Sequence, residues 1–206
     1  MNPSHWILIG LWIVYYALHS VFASSSVKEF FTKSMGKYFR YYRLFYSLFA
    51  LITLIGLLTF QYSFDSPILI KSALIKYFPV LFLVLPGIAI MLISGKKYFM
   101  LLSGIRSIFT PVAPAELKLD GIHRFVRHPL YAGTLLVVFG LFFVYPTLSN
   151  LIAAALLIIY VLVGITFEEK KLKKEFGESY ENYIAKVPML IPKLRHEKRV
   201  IKTKNK

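Results

Sequence analysis

Two short stretches gather the groups in this chain that could do chemistry. RFVRHPLYAG, residues 124–133, sets Arg124, Arg127, His128 and Tyr131 directly before an apolar run, and Glu168 and Glu169 stand together where a later apolar run ends. His19, beside Ser20, closes a third run. Carboxylates suit a cation or an amine, arginine suits a carboxylate, and aromatic rings suit a planar base or a sulfonium. Each group also has a plainer use. Pro129 fits the first turn of a helix and the arginines before it serve as topology anchors, while the glutamates have Lys171 and Lys173 at helical spacing. Two adjacent carboxylates at the end of a membrane span are costly if they face lipid, so a polar pocket or water is expected around them.

The elements that must position these groups are apolar and long. The chain has 206 residues, 57% of them hydrophobic, with a formal net charge of +15 and no cysteine. Without cysteine there are no disulfides, thiolate metal sites or cysteine nucleophiles. A spanning helix needs roughly 20 apolar residues, and five stretches approach that length: Trp6 to Phe22, Leu44 to Tyr62, Leu74 to Ser94, Leu130 to Tyr145 and Leu148 to Phe167. YPTLSN, residues 145–150, is too short for anything but a tight helical hairpin between the last two. The reading is an all-α, polytopic membrane bundle of about five spans, one domain over residues 1–206, with a cytoplasmic amphipathic helical tail from residue 168.

Charge placement sets the orientation. Of 25 lysines and arginines, 23 fall in the first loop, the third loop and the tail; only Lys71 and Lys76 lie on the other side. Cationic loops stay cytoplasmic, so the expected topology is N-out and C-in. That arrangement explains the positive charge through the lipid bilayer, with no nucleic-acid partner. The first span lacks a positive n-region and reads as a retained anchor rather than a signal peptide. Ser26 and Glu29 have capping-box spacing, which predicts a short helix along the inner surface. Pro79 and Pro86 predict a kink in the third span.

With this topology His19, Arg40, Arg43, Arg124, Arg127, His128, Glu168 and Glu169 converge on the cytoplasmic leaflet. S-adenosyl-L-methionine carries an amine, a carboxylate, a planar base and a sulfonium together. A pocket of this composition permits that cofactor without selecting it, and methyl transfer needs alignment more than covalent help.

GIHRFVRHPLYAG (residues 121–133), a two-span hairpin, and FEEKKLKKEFGESYENYIAKVPMLIP (residues 167–192) together resemble the isoprenylcysteine carboxyl methyltransferase and phospholipid methyltransferase superfamily of integral-membrane enzymes. The shared pattern is R-H-P-x-Y-x-G, a Glu-Glu pair ending the next span, then F-G-x-x-Y-x-x-Y. The resemblance implies an S-adenosyl-L-methionine pocket formed by Arg127, His128, Tyr131, Gly133, Glu168 and Glu169, with Tyr180 and Tyr183 closing a lid and Gly133 permitting close approach of the cofactor. Leu172, Phe176, Tyr180, Tyr183, Ile184 and Val187 also lie at the spacing of one amphipathic surface helix. YYALHSVFASSSVK (residues 15–28) and RYYRLFYS (residues 40–47) look like bacterial methanethiol S-methyltransferase-like and NnrU-like members, which implies a bacterial inner membrane and places His19 on the acceptor side.

The leading expectation is methyl transfer to a hydrophobic or membrane-partitioned acceptor, at sulfur or at a carboxylate oxygen, on a thiol or an isoprenylcysteine-type molecule. His19 or His128 is the candidate base for a thiol or amine. Methylation of a phospholipid amine is the runner-up. From another class, His19, His123 and His128 could ligate a membrane haem, and a lipid-binding scaffold without catalysis is a third reading. No metal site is expected.

Overall fold

A computed structural model describes residues 1–71, 77–96, 117 and 119–193. Lys76, Lys97, Arg106 and Lys118, the start of the third expected span, and the cationic tail from residue 194 onward lie outside the described residues. The chain is an all-α integral-membrane bundle. Among the described residues, four helical stretches are long and apolar enough to cross a membrane.

Helix α1 (Pro3–Ala23) starts from a capping box in which Asn2 and His5 satisfy each other's backbone amides, with Pro3 at the first helical position. Ser24 ends α1 and caps α2 (Ser25–Met35), accepting from the Val27 amide. The cap is therefore Ser24 rather than Ser26, because Ser24 is where the backbone turns extended between the two helices. Glu29 pairs instead with Lys33, one turn on. A 3₁₀ segment (Gly36–Tyr41) leads into α3 (Tyr42–Gln61).

The third spanning stretch, α4, is one continuous helix in three parts: Tyr77–Pro79, a π-helical stretch Val80–Val84, and Leu85–Lys96. Leu85 donates to Val80, five residues back. Pro86 lacks the amide that would bond the Phe82 carbonyl, and the widened turn directly before it absorbs the misfit.

A 3₁₀ turn (Gly121–Arg124) precedes α5 (Pro129–Val144), which opens on Pro129 as expected. Its 16 residues rise about 24 Å, short of a hydrocarbon core of about 30 Å. Helix α6 (Leu148–Phe176) is capped by Thr147 and runs nine residues past Phe167, because the charged EEKKLKKE segment ends the apolar run without ending the helix. Gly177 takes φ of +52°, a left-handed value suited to glycine, and α7 (Glu178–Lys186) departs in a new direction. The single amphipathic helix expected over residues 172–187 is thus two helices. Its apolar residues still meet, since Tyr180, Tyr183 and Val187 bury against Leu172, Phe176 and Ile184.

Helix α1 packs on α3 and α6, and α4 lies along α5. A Cβ at Gly133 would stand 2.8 Å from the Gly87 carbonyl oxygen, so the paired glycines let α4 and α5 approach backbone to backbone. At the end of the bundle holding the α5–α6 turn, Trp12 donates to Gln61, Gln61 and Tyr62 donate to Asn150, and Asn150 donates to the Tyr145 carbonyl. This chain of side-chain bonds ties α1, α3 and α6 together. The turn itself is held by Leu69 donating to Pro146 and Leu148 donating to Pro67.

Candidate active site

The two polar stretches meet at the mouth of α5. The Arg127 guanidinium donates to Glu169 Oε1 through Nε at 2.8 Å and ion-pairs with it through Nη2 at 2.7 Å. His128 Nε2 lies 3.1 Å from the same oxygen, and its Nδ1 lies 3.8 Å from Glu168 Oε2. His128 is 6% exposed, and the side chains of Arg127 and Glu169 are 10% and 17% exposed. Glu168 is different: its side chain is 44% exposed, and the Tyr131 phenol contacts it. The structure thus brings Arg127, His128, Tyr131, Glu168 and Glu169 together at one place.

The segment after α7 forms a strap across this cluster. Arg127 Nη1 donates to the Val187 carbonyl at 2.6 Å, and the backbone amides of Arg127 and His128 donate to the carbonyls of Pro188 and Met189. Tyr183 donates to the His123 carbonyl at 2.6 Å. Burial pushes the Tyr180 and Tyr183 phenols up to about 12, so both are donors throughout the neutral range. Tyr183 uses its proton on His123. The Tyr180 hydroxyl, in a residue 1% exposed, is buried with no hydrogen-bond partner among the described residues. Gly133 touches α4 in this structure, so its missing side chain serves helix packing.

His19 stands in a separate, aromatic setting. The Tyr46 hydroxyl lies 2.9 Å from its Nε2 and 3.0 Å from its Nδ1, and Tyr15, Tyr46 and Tyr160 surround the ring. Tyr16 stacks on Tyr160 with ring centroids 4.3 Å apart. Sequence reasoning overlooked these four tyrosines. The signal was present in α1, where Trp12, Tyr15, Tyr16 and His19 recur at helical spacing. Because His128 is engaged by carboxylates and His19 by tyrosine, the haem reading gains nothing from the fold. Among the described residues, no group of three His, Asp or Glu side chains could hold a metal ion.

The donor set at the mouth of α5 fits a ligand carrying hydroxyls or an amine beside a planar ring. Glu168 offers an accessible carboxylate, Tyr131 an aromatic face and Tyr180 an unused buried hydroxyl. Arg127 is fully engaged by Glu169 and the strap, so it acts here by holding α6 and the strap against α5.

A family model for phospholipid methyltransferase matches residues 76–179, just over half of the chain and all five residues of the clustered site. The chain belongs to the phospholipid methyltransferase family. Relatives of this family member include a methanethiol S-methyltransferase of Crocosphaera subtropica, 41% identical over 98 residues, covering 44% of this chain and 37% of the relative. Another methanethiol S-methyltransferase, of Pseudomonas deceptionensis, is 36% identical over 116 residues, covering 52% and 41%. A protein-S-isoprenylcysteine O-methyltransferase of Schizosaccharomyces pombe is 39% identical over 77 residues, covering 37% and 33%. The chain spans about two fifths of the length of the curated relatives it matches. No solved structure matches it. The family match leaves out α1, α2 and α3, and with them His19; it also ends before Tyr180, Tyr183 and the strap.

Proposed function

We propose that this protein is an S-adenosyl-L-methionine-dependent methyltransferase acting on a hydrophobic or membrane-partitioned acceptor at sulfur or at a carboxylate oxygen. The observation that carries the reading is the accessible Glu168 carboxylate, set beside Tyr131 and next to the buried Arg127–Glu169–His128 cluster. Family membership and the methyltransferase names of the relatives support it. S-adenosyl-L-methionine, when bound, supplies a methyl group activated by its sulfonium sulfur.

The chain's own residues do the rest. Glu168 accepts hydrogen bonds from hydroxyls or an amine of the ligand, and Tyr131 presents its ring. Glu169 keeps His128 oriented, and Arg127 holds the strap that covers them. Tyr180, whose hydroxyl has no other use, adds a donor inside that cover. The protein aligns the acceptor with the methyl group and excludes water, which is where catalysis of this transfer lies. His19 and His128 are the groups placed to take a proton from a thiol or amine acceptor; a carboxylate acceptor needs none. The placement of lysine and arginine favours N-out and C-in, which opens the clustered site to the cytosol, and the likeness to bacterial methanethiol S-methyltransferases favours a bacterial inner membrane.

The family description favours one second reading, methylation of a phospholipid amine. Purified protein incubated with radiolabelled S-adenosyl-L-methionine and a panel of thiols, prenylcysteine analogues and phosphatidylethanolamine separates the two. Label in a thioether or methyl ester is expected; label confined to the phospholipid establishes the second reading.

A further inference from the structure

Between α1, α3, α5 and α6 lies a cavity of about 400 Å³. Trp12, Tyr16, His19, Thr134, Ala153 and Tyr160 are among its walls. No Asp, Glu, Lys or Arg side chain lines it among the described residues. At its far end Gln61, Tyr62 and Asn150 bond to one another and to Trp12, so their polar atoms are already answered. The exception is Tyr16, whose residue is 8% exposed and whose hydroxyl has no partner among the described residues. A buried hydroxyl left without a bond is costly, a penalty that a ligand's polar atom would remove.

We infer that this cavity is the acceptor site and that it takes an uncharged, apolar thiol of roughly a dozen heavy atoms, taking a water-sized group as about 30 Å³. The inference rests on the methyl-transfer reading above and narrows it. Size excludes a one-carbon thiol as the best fit, since it would leave most of the volume unfilled and forgo those contacts. Charge disfavours a carboxylate or a phospholipid headgroup, because among the described residues no cationic side chain lines the walls to meet it. A thiol suits the site because its sulfur is a weak hydrogen-bonding group that is cheap to bury, and His19 stands in the cavity wall to take its proton.

An apolar cleft adjoins the cavity on one side, and a row of residues leads from it toward the cofactor side on the other. A cleft of about 290 Å³ between α1 and α3 shares Tyr15 and His19 with it and is walled by the outward-facing Leu11, Val14 and Leu18. That cleft gives an apolar thiol a way in from the bilayer. Toward the cofactor side, Tyr160, Gly164 and Glu168 follow at four-residue intervals on one face of α6, and the space beside Gly164 is open. On α5, Thr134 of the cavity lies one turn from Tyr131. The reaction balances with a sulfonium methyl donor. His19 takes the thiol proton at a ring nitrogen, and a sulfur lone pair forms the new bond to the methyl carbon. The bond from that carbon to the sulfonium breaks with its electron pair left on the departing neutral sulfur, and His19 returns its proton to water. Tyr46 can serve only one ring nitrogen at a time, which leaves the other for this proton.

The chain has two tryptophans, so Trp6→Phe leaves Trp12 as a fluorescent reporter inside the cavity. In protein free of cofactor, 1-octanethiol should change Trp12 fluorescence saturably, with methanethiol and octanoate each binding at least tenfold more weakly. Ala153→Phe should weaken octanethiol at least tenfold while S-adenosyl-L-methionine binding persists, which shows the variant is folded. Tyr16→Phe should weaken it about threefold to tenfold. Equal binding of octanoate or methanethiol, or indifference to Ala153→Phe, overturns the assignment. Saturable octanethiol binding by a protein that binds no S-adenosyl-L-methionine keeps the cavity assignment and removes the methyl-transfer reading.

Discussion

Glu168 and Glu169 are neighbours with opposite duties. Glu169 is mostly buried and held by Arg127 and His128, whereas Glu168 is half-exposed beside Tyr131. Removing one partner of a buried ion pair strands the other and costs several kcal/mol. Arg127→Ala should therefore lower stability by about 3 kcal/mol, read as a lower thermal midpoint in detergent, and should loosen the strap it holds through Val187. Glu168→Gln should leave the midpoint unchanged and weaken S-adenosyl-L-methionine binding at least tenfold, read by equilibrium dialysis. If Glu168→Gln destabilises as much as Arg127→Ala, the two carboxylates share one structural role and their separation here is wrong. The sequence brought these residues together through topology and motif spacing. It did not show the carbonyl partners of Arg127, because they belong to a strap 60 residues away whose path depends on the turn at Gly177. The tyrosines around His19 were harder to see: Tyr46 and Tyr160 come from two other helices, and only packing sets them against α1.

At the scale of elements, helix ends account for most of what sequence patterning misplaced. Apolar runs report where the bilayer ends, and helices continue until a capping residue or a glycine stops them. So α6 outruns Phe167, and α2 takes its cap from Ser24. Gly177 is the hinge of the tail, with φ in the left-handed region. Gly177→Val should cost about 1 kcal/mol or more through backbone strain and displace α7, breaking the Tyr183 bond to His123. Limited proteolysis should then cut near residues 178–190 several times faster than in the parent protein; an unchanged rate would mean that the strap holds α7 without help from the turn. The α4–α5 contact makes a parallel prediction. A methyl group at Gly133 would meet the Gly87 carbonyl oxygen at 2.8 Å, so Gly133→Ala should lower the thermal midpoint even where cofactor affinity is kept.

Across the whole molecule, hydropathy and charge made the all-α membrane bundle legible, since long apolar runs have few other folds open to them. The proposed orientation can be tested cleanly because the chain has no cysteine. Ser63→Cys, beyond α3, should react with a membrane-impermeant maleimide applied outside intact cells, and Ser179→Cys, in α7, only after permeabilisation; the reverse pattern would invert the topology. The measurement that tests the central claim most directly is transfer of radiolabelled methyl from S-adenosyl-L-methionine to 1-octanethiol by the purified protein, with Glu168→Gln alongside. Methyl transfer with Glu168 as a cofactor ligand predicts labelled octyl methyl sulfide from the parent protein and at least tenfold less from the variant at limiting cofactor. Parent protein that binds no S-adenosyl-L-methionine and labels no acceptor, or a variant as active as the parent, would contradict it.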